Sequence, residues 1–132
     1  MCLYSDWPTY KIAERDIVCF KILFEDFKAP VFNNYCYKKG QLNVLEENIK
    51  YATEAFRWNS SGVMVRAVTT GFHSCISRRA AWKTKKDYIS RFQKHIICKC
   101  IIPKGAQYIK GEFGQIVSNK LIVKRKLLFN LL

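Results

Sequence analysis

Two short pairs of sulfur and nitrogen side chains in this sequence have the types that bind metals: His73-x-Cys75 and Cys98-x-Cys100. Zinc binds cysteine and histidine in tetrahedral sites, so these four residues are one candidate zinc set. The second pair lies in the run HIICKCII, in which alternate residues share one face that is otherwise isoleucine. That pattern is typical of a buried strand. We therefore favour a core role for these cysteines and expect no metal and no cofactor.

Nucleophilic catalysis is the second chemistry that His73 and Cys75 suggest. A reactive thiolate needs an electropositive environment and a base within reach, and Arg78 and Arg79 follow closely in the sequence. Residues two apart rarely face each other well outside a strand, and no third group that would orient the histidine is evident. We therefore expect no catalytic residues and a protein that is not an enzyme.

The basic segment SRRAAWKTKKDYISRFQK, residues 77–94, predicts a different activity. Ser77 is a typical helix N-cap, and the residues after it predict a helix. Arg78 and Arg79 would lie in the first turn, where the helix dipole disfavours cations, so helix stability does not explain them. We expect this segment and a second basic segment, residues 124–126, to contact phosphates or carboxylates. The candidate partner-binding residues are Arg78, Arg79, Trp82, Lys83, Lys85, Lys86, Arg91, Lys94, Lys124, Arg125 and Lys126.

Charge is unevenly distributed along the chain. Residues 1–66 contain 9 Lys and Arg against 8 Asp and Glu, whereas residues 67–132 contain 14 against 2, which together give the net charge of +13. Such an imbalance is costly through self-repulsion and is typical of proteins that bind nucleic acid, a ribonucleoprotein or an acidic protein surface. No apolar run is long enough to span a bilayer, and the first residues do not resemble a signal peptide. We expect a cytoplasmic protein with mostly buried, free cysteines.

The elements that would position these residues are mainly strands. Apolar and alternating runs predict strands over residues 16–24, 31–38, 63–70, 95–102 and 119–128, and a loop or short hairpin over 106–118. Residues 1–15 read as an irregular arm. The spacing of Leu42, Leu45 and Ile49 predicts a possible second helix over 44–57. We predict a single α+β domain, residues 1–132, with a mostly antiparallel sheet and one prominent basic helix at 77–94.

Three segments occur in an order found elsewhere: DIVCFKI, then GFHSC, then IICKCIIPKGAQYIKGEFG leading into SNKLIVKRKLL. This order resembles small proteins of bacterial and prophage genomes. It also resembles a degenerate ADP-ribosyltransferase pattern, in which Lys21 would stand for the basic residue of an early strand and Ser74 for the middle motif. Ser118-Asn119-Lys120 occupies the place of the expected catalytic glutamate. The resemblance therefore implies the fold without the transferase activity.

These observations together predict a non-enzymatic interaction protein whose basic second half binds RNA or an RNA-handling protein. By analogy with anti-CRISPR inhibitors, it would be a phage- or prophage-encoded inhibitor that binds an RNA-guided nuclease or its RNA in the cytoplasm of a bacterial host. Two alternatives stay open: an ADP-ribosyltransferase-like enzyme and a general RNA-binding module. The oligomeric state does not follow from the sequence.

Overall fold

A computed structural model describes residues 3–7, 9–28, 35–45, 48–88 and 95–127, with the backbone alone for residues 52–56, 87 and 88. Strands dominate these residues. The strands are β1 (Leu3–Ser5), β2 (Lys11–Ile12), β3 (Ile17–Phe24), β4 (Leu42–Val44), β5 (Lys50–Trp58), β6 (Met64–Thr70), β7 (Phe72–Cys75), β8 (His95–Ile102), β9 (Gln107–Lys110), β10 (Gln115–Ser118) and β11 (Lys120–Lys126). The helix is α1 (Arg78–Tyr88), and a short 3-10 turn covers Glu112–Gly114.

The strands form two sheets in which all paired neighbours are antiparallel. The smaller sheet has the order β1-β6-β5, and the larger one has the order β2-β9-β10-β7-β3-β8-β11-β4. The longest pairing joins β3 to β8, from Ile17 opposite Ile102 to Phe24 opposite His95. Both strands are rich in β-branched and aromatic residues, which favour a pleated, largely buried position.

The large sheet is rolled. β10 and β11 are joined by Asn119 alone, yet β7, β3 and β8 lie between them in the sheet. In a flat sheet, four strand spacings of about 4.8 Å would separate β10 from β11 by about 19 Å. The Cα atoms of Ser118 and Lys120 lie two residues apart and can span only about 7 Å. The sheet must therefore curve until these two strands meet, and one of its faces becomes an interior.

The hydrogen bonds of Asn119 show where the roll closes. Its carbonyl accepts a bond from the Leu45 N–H, just after β4, at 2.8 Å. Its main-chain N–H donates to the carbonyl of Gln107 in β9 at 3.1 Å, and its side-chain oxygen accepts from the Gln107 N–H at 2.8 Å. Asn119 thus links the segment after β4, at one end of the sheet, to β9, the second strand from the other end.

Three apolar clusters stabilise this arrangement. The interior of the roll is filled by Cys19, Leu23, Tyr37, Phe72, Ile96, Cys98, Cys100, Ile102, Ala106, Ile116, Leu121 and Val123. On the outside, Leu3 and Val68 of the small sheet pack on Ile109 and Val117. Elsewhere on the outside, Ala81 of α1 packs in a cluster with Ile22, Cys75, Ile97 and Leu127. The outer face of the rolled sheet therefore carries both the small sheet and the helix.

The predicted α+β class is wrong, because the described chain is nearly all sheet with one short helix. The possible second helix over 44–57 is replaced by the end of β4 and most of β5. β5 pairs with β6, from Lys50 opposite Thr70 to Trp58 opposite Met64, so a hairpin partner outweighs the helical spacing of the apolar residues. Of the predicted helix over 77–94, the structure describes α1 at Arg78–Tyr88, and residues 89–94 lie outside the described part. This short helix is a minor element of a sheet-dominated fold, so its predicted prominence is wrong.

The other predicted elements, the N-terminal arm and the strands, are confirmed only in part. The expected irregular arm is wrong at residues 3–5 and 11–12, which form β1 and β2. The predicted strands over 16–24, 63–70 and 95–102 are confirmed within one residue, and 106–118 contains the β9–β10 hairpin. The predicted strand over 119–128 is confirmed as β11, with residue 128 outside the described residues. Of the predicted strand 31–38, residues 31–34 lie outside the described residues.

Candidate functional site: a basic outer face

The helix α1 presents its cations to solvent and its small residues to the sheet. The Ser77 hydroxyl accepts a hydrogen bond from the Ala80 N–H at 3.1 Å, which confirms the predicted N-cap. Ala81 and Thr84 are buried against the sheet. The exposed basic residues of the helix are Arg78, Arg79, Lys83 and Lys86. The small buried residues let the helix lie close to the sheet while its long cationic side chains remain hydrated.

Trp82 lies at the flank of this helix and is partly buried against the cluster beneath it. The Lys85 ammonium lies over its indole ring, with the nitrogen 5.5 Å from the ring centroid. A cation at this distance is attracted by the ring quadrupole. The pair therefore fixes one of the helix cations at the edge of the apolar contact.

The second basic segment lies on the same side of the sheet as the helix. Cys75, beneath α1, is opposite Phe20 in the strand register. Phe20 is opposite Lys99, and Lys99 is opposite Arg125. Directly opposite residues share a face, so this row crosses four strands and spans about 14 Å at the usual strand spacing. Arg125 therefore lies on the outer face that carries the helix.

We call this surface the basic outer face and define it by Arg78, Arg79, Lys83, Lys86, Lys99 and Arg125. Lys124 and Lys126 are also exposed, on either side of Arg125, where a bulge follows Val123. The Lys126 ammonium lies 3.9 Å from a carboxylate oxygen of Glu25. The structure thus brings together most of the predicted partner-binding residues. Arg91 and Lys94 lie outside the described residues.

The candidate zinc residues do not come together. Cys75 lies in the cluster under the helix, whereas Cys98 and Cys100 lie inside the roll. Both ring nitrogens of His73 are 3.1 Å from main-chain oxygens, those of Gly71 and Val68. Within the described part of the chain, no group of three or more His, Cys, Asp or Glu side chains could hold a metal ion. The three cysteines are buried in these apolar clusters instead, and His73 is partly buried.

Cys19 and Cys100 face each other inside the roll as directly opposite residues of β3 and β8. The facing Cys100 thiol lowers the pKa of the Cys19 thiol against the opposing effect of burial, and the Cys19 thiol together with burial raises the pKa of Cys100. The five described cysteines are free, and all of them except the exposed Cys36 are buried. The prediction of mostly buried, free thiols is confirmed for the described cysteines, of which Cys36 is the exposed one.

Lys21 and Ser74, the two residues on which the transferase resemblance depends, lie on neighbouring strands in the sheet. Both side chains are buried. The Lys21 ammonium donates a hydrogen bond to the His73 carbonyl and lies 4.9 Å from the centroid of the Tyr37 ring. Neither side chain lines an open surface, so a large substrate has no direct access to them.

The sequence does not single out two aromatic residues that the structure exposes, Phe113 and Trp58. Phe113 is 80% exposed and Trp58 is 66% exposed. The sequence instead favours Trp82 and Tyr108 as partly exposed aromatics, which is confirmed for both. The available signal for Phe113 is its place between Gly111 and Gly114 in a segment of weak strand character. Glycines interrupt regular elements, so an apolar side chain between two of them is typical of a loop and not of a core strand.

Among the described residues, no helix combines the length and apolar composition that crossing a membrane requires. Comparisons of the chain with protein-family models, with curated proteins and with solved structures found no match.

Proposed function

We propose that this chain is a non-enzymatic RNA-binding interaction protein and that the basic outer face contacts RNA phosphates. One observation carries the proposal. The strand register places Arg125 and Lys99 on the same face as the exposed cations of α1, so charges from distant parts of the sequence form one surface. A continuous basic surface is the usual electrostatic footprint of a nucleic-acid-binding protein.

The packing supports the assignment of these cations to binding. α1 contacts the sheet through Ala81 and Thr84, so the stability of the fold does not require Arg78 or Arg79. Their position in the first turn is mildly unfavourable for a helix. Guanidinium groups bind phosphate oxygens in a bidentate manner, which makes arginine well suited to this role.

A narrower proposal follows from the resemblance to prophage proteins. The protein would act in the cytoplasm of a bacterial host as an inhibitor of an RNA-guided nuclease, and the basic outer face would bind the nuclease or its RNA. This role requires one stoichiometric protein partner, whereas a general RNA-binding module would retain mixed RNA without such a partner.

Affinity capture from host lysate, with and without RNase, separates these roles. A single stoichiometric protein that stays bound after RNase treatment supports the inhibitor. Mixed RNA without that protein supports the module. The electrostatic basis is tested by measuring RNA affinity across a salt series, because each phosphate contact adds to the slope of log K against log salt. An affinity that is the same at low and high salt would contradict the proposal.

A further inference from the structure

Phe113 has a backbone and an exposure that folding alone does not explain. It has φ 58° and ψ 33°, in the left-handed region that bulky residues rarely adopt. Its side chain is 80% exposed, so it adds little to any apolar cluster. Glycine or asparagine would suit this backbone better. A large aromatic ring at such a position suggests a role in binding.

The turn that carries Phe113 is packed against the start of α1. The Gly114 carbonyl accepts a hydrogen bond from the Ile76 N–H at 2.8 Å. A Cβ atom on Gly114 would lie 3.0 Å from the Cβ of Ala80, so this turn and the first helical turn touch. Arg78 and Arg79, two of the cations of the basic outer face, lie in that same helical turn.

Arg57, the residue before Trp58 in β5, contacts the other side of the turn. Successive strand residues point to opposite faces, so the exposed Trp58 ring lies on the face of β5 away from Arg57. A guanidinium nitrogen of Arg57 is 2.5 Å from a carboxylate oxygen of Glu112, which ties the end of β5 to the residue before Phe113. Each aromatic residue is therefore one residue from this ion pair. The pair also offsets the charge of Glu112, the acid nearest in sequence to the exposed Phe113 ring.

We propose that Phe113 and Trp58 stack on unpaired bases, and that the RNA bound by this protein is single-stranded. The inference rests on the proposed function, because the arginines supply the phosphate contacts. Exposed aromatic rings beside a basic groove are the usual means of binding single strands, since every base has a face on which a ring can stack. In a duplex these faces are covered by neighbouring base pairs.

The test compares a fluorescently labelled, unstructured single-stranded RNA with a duplex RNA of the same length, by fluorescence anisotropy. We expect tighter binding of the single strand. Phe113→Gly and Phe113→Asn should each weaken it by about 5- to 150-fold, the range found for the loss of one stacked base. Phe113→Tyr keeps the ring and should retain the affinity. Trp58→Ala should weaken the single-strand complex in the same way.

Thermal unfolding separates this role from a structural one. Phe113→Asn should not lower the Tm, because asparagine tolerates the left-handed backbone. Equal affinity for the duplex, or unchanged single-strand affinity of both Phe113 variants, would overturn the inference while leaving the proposed function intact. Failure of the wild-type protein to bind either RNA would overturn both.

Discussion

The Lys21 side chain on β3 donates a hydrogen bond to the main-chain carbonyl of His73 on β7. In the described register these two strands are paired only at Phe20 opposite Cys75. The Lys21 ammonium therefore hydrogen-bonds a main-chain carbonyl where the pairing between β3 and β7 is short. Burial lowers the pKa of Lys21 to about 8, and burial together with the Lys21 charge lowers the pKa of His73 to about 4.

This buried lysine should make stability depend on pH. Below pH 8 it is charged in both the folded and unfolded states, and the folded state bears the full cost of burying the charge. Between about pH 8 and 10.5 the folded state loses the proton first, so the free energy of unfolding rises with pH. A shift of this size corresponds to about 3 kcal/mol. Lys21→Met should therefore be more favourable relative to wild type at pH 7 than at pH 10.

Urea denaturation at several pH values measures this difference. Lys83→Met is a matched control, since it removes the same charge from an exposed helix position. The control keeps Lys21, so its free energy of unfolding should rise between pH 7 and 10 as that of wild type does. A difference between Lys21→Met and wild type that is the same at both pH values would contradict the assignment.

Removal of Arg78 and Arg79 should reduce RNA affinity without harming the fold. In the Arg78→Ala/Arg79→Ala variant the salt slope should fall by about 1.4, from two lost phosphate contacts at about 0.7 each. The Tm should be unchanged or slightly higher, because alanine favours helix and the dipole disfavours arginine there.

The matched control for the arginine variant is Lys11→Ala/Lys104→Ala. This control also removes two positive charges from exposed residues. Lys11 and Lys104 lie close to each other in the fold, because the Gly105 N–H donates a hydrogen bond to the Ala13 carbonyl. This control should bind RNA nearly as well as wild type. An equal loss in both variants would mean that net charge, and not the basic outer face, governs binding.

The buried thiols should be protected from alkylation. Cys36 is exposed and should react within the first pulse of iodoacetamide, whereas Cys19, Cys75, Cys98 and Cys100 should react only after unfolding. Thiolates are the reactive species, and burial raises the pKa of Cys98 to about 11. Mass spectrometry of the labelled peptides, with a urea-unfolded sample as reference, reports each site. Rapid native labelling of Cys19 would show that the interior is open.

Gly71 should tolerate no side chain. Its φ is 145°, and a Cβ atom there would overlap the Val117 side chain. We expect Gly71→Ala to cost about 3 kcal/mol or more, from backbone strain and overpacking together. Gly105→Ala is the comparison, because φ is 88° and no atom lies within 4 Å of the added carbon. It should cost about 1–2 kcal/mol by strain alone. Equal costs in denaturant unfolding would argue against the close contact.

The sequence predicts the strands well where the pattern is local. The runs that became β3 and β8 are apolar on both faces or nearly so, and this suffices to identify them. The Ser77 cap and the helix start are local signals as well. The helix predicted over 44–57 is wrong for a physical reason. The apolar residues there fit helical spacing, but the pairing of β5 with β6 is the more stable arrangement. The turn 59–62 before a predicted strand was the available signal for a hairpin.

The basic outer face could be predicted only in part. Its residues follow from composition and spacing, but their common surface depends on the register from Cys75 to Arg125 across four strands. Such long-range pairing is not encoded in a short window of sequence. Lys21 interrupts an otherwise apolar strand, and only the tertiary structure shows that its partner is the His73 carbonyl.

The insertion of β11 between β8 and β4 has a consequence for synthesis of the protein. A nascent chain translated only as far as Asn119 lacks Leu121 and Val123, which help to fill the interior of the roll. It also leaves the edges of β8 and β4 unpaired, and unpaired edges invite association with other chains. The roll can therefore close only when residues 120–126 are present, and a chain truncated after Asn119 would present an unpaired, aggregation-prone sheet edge.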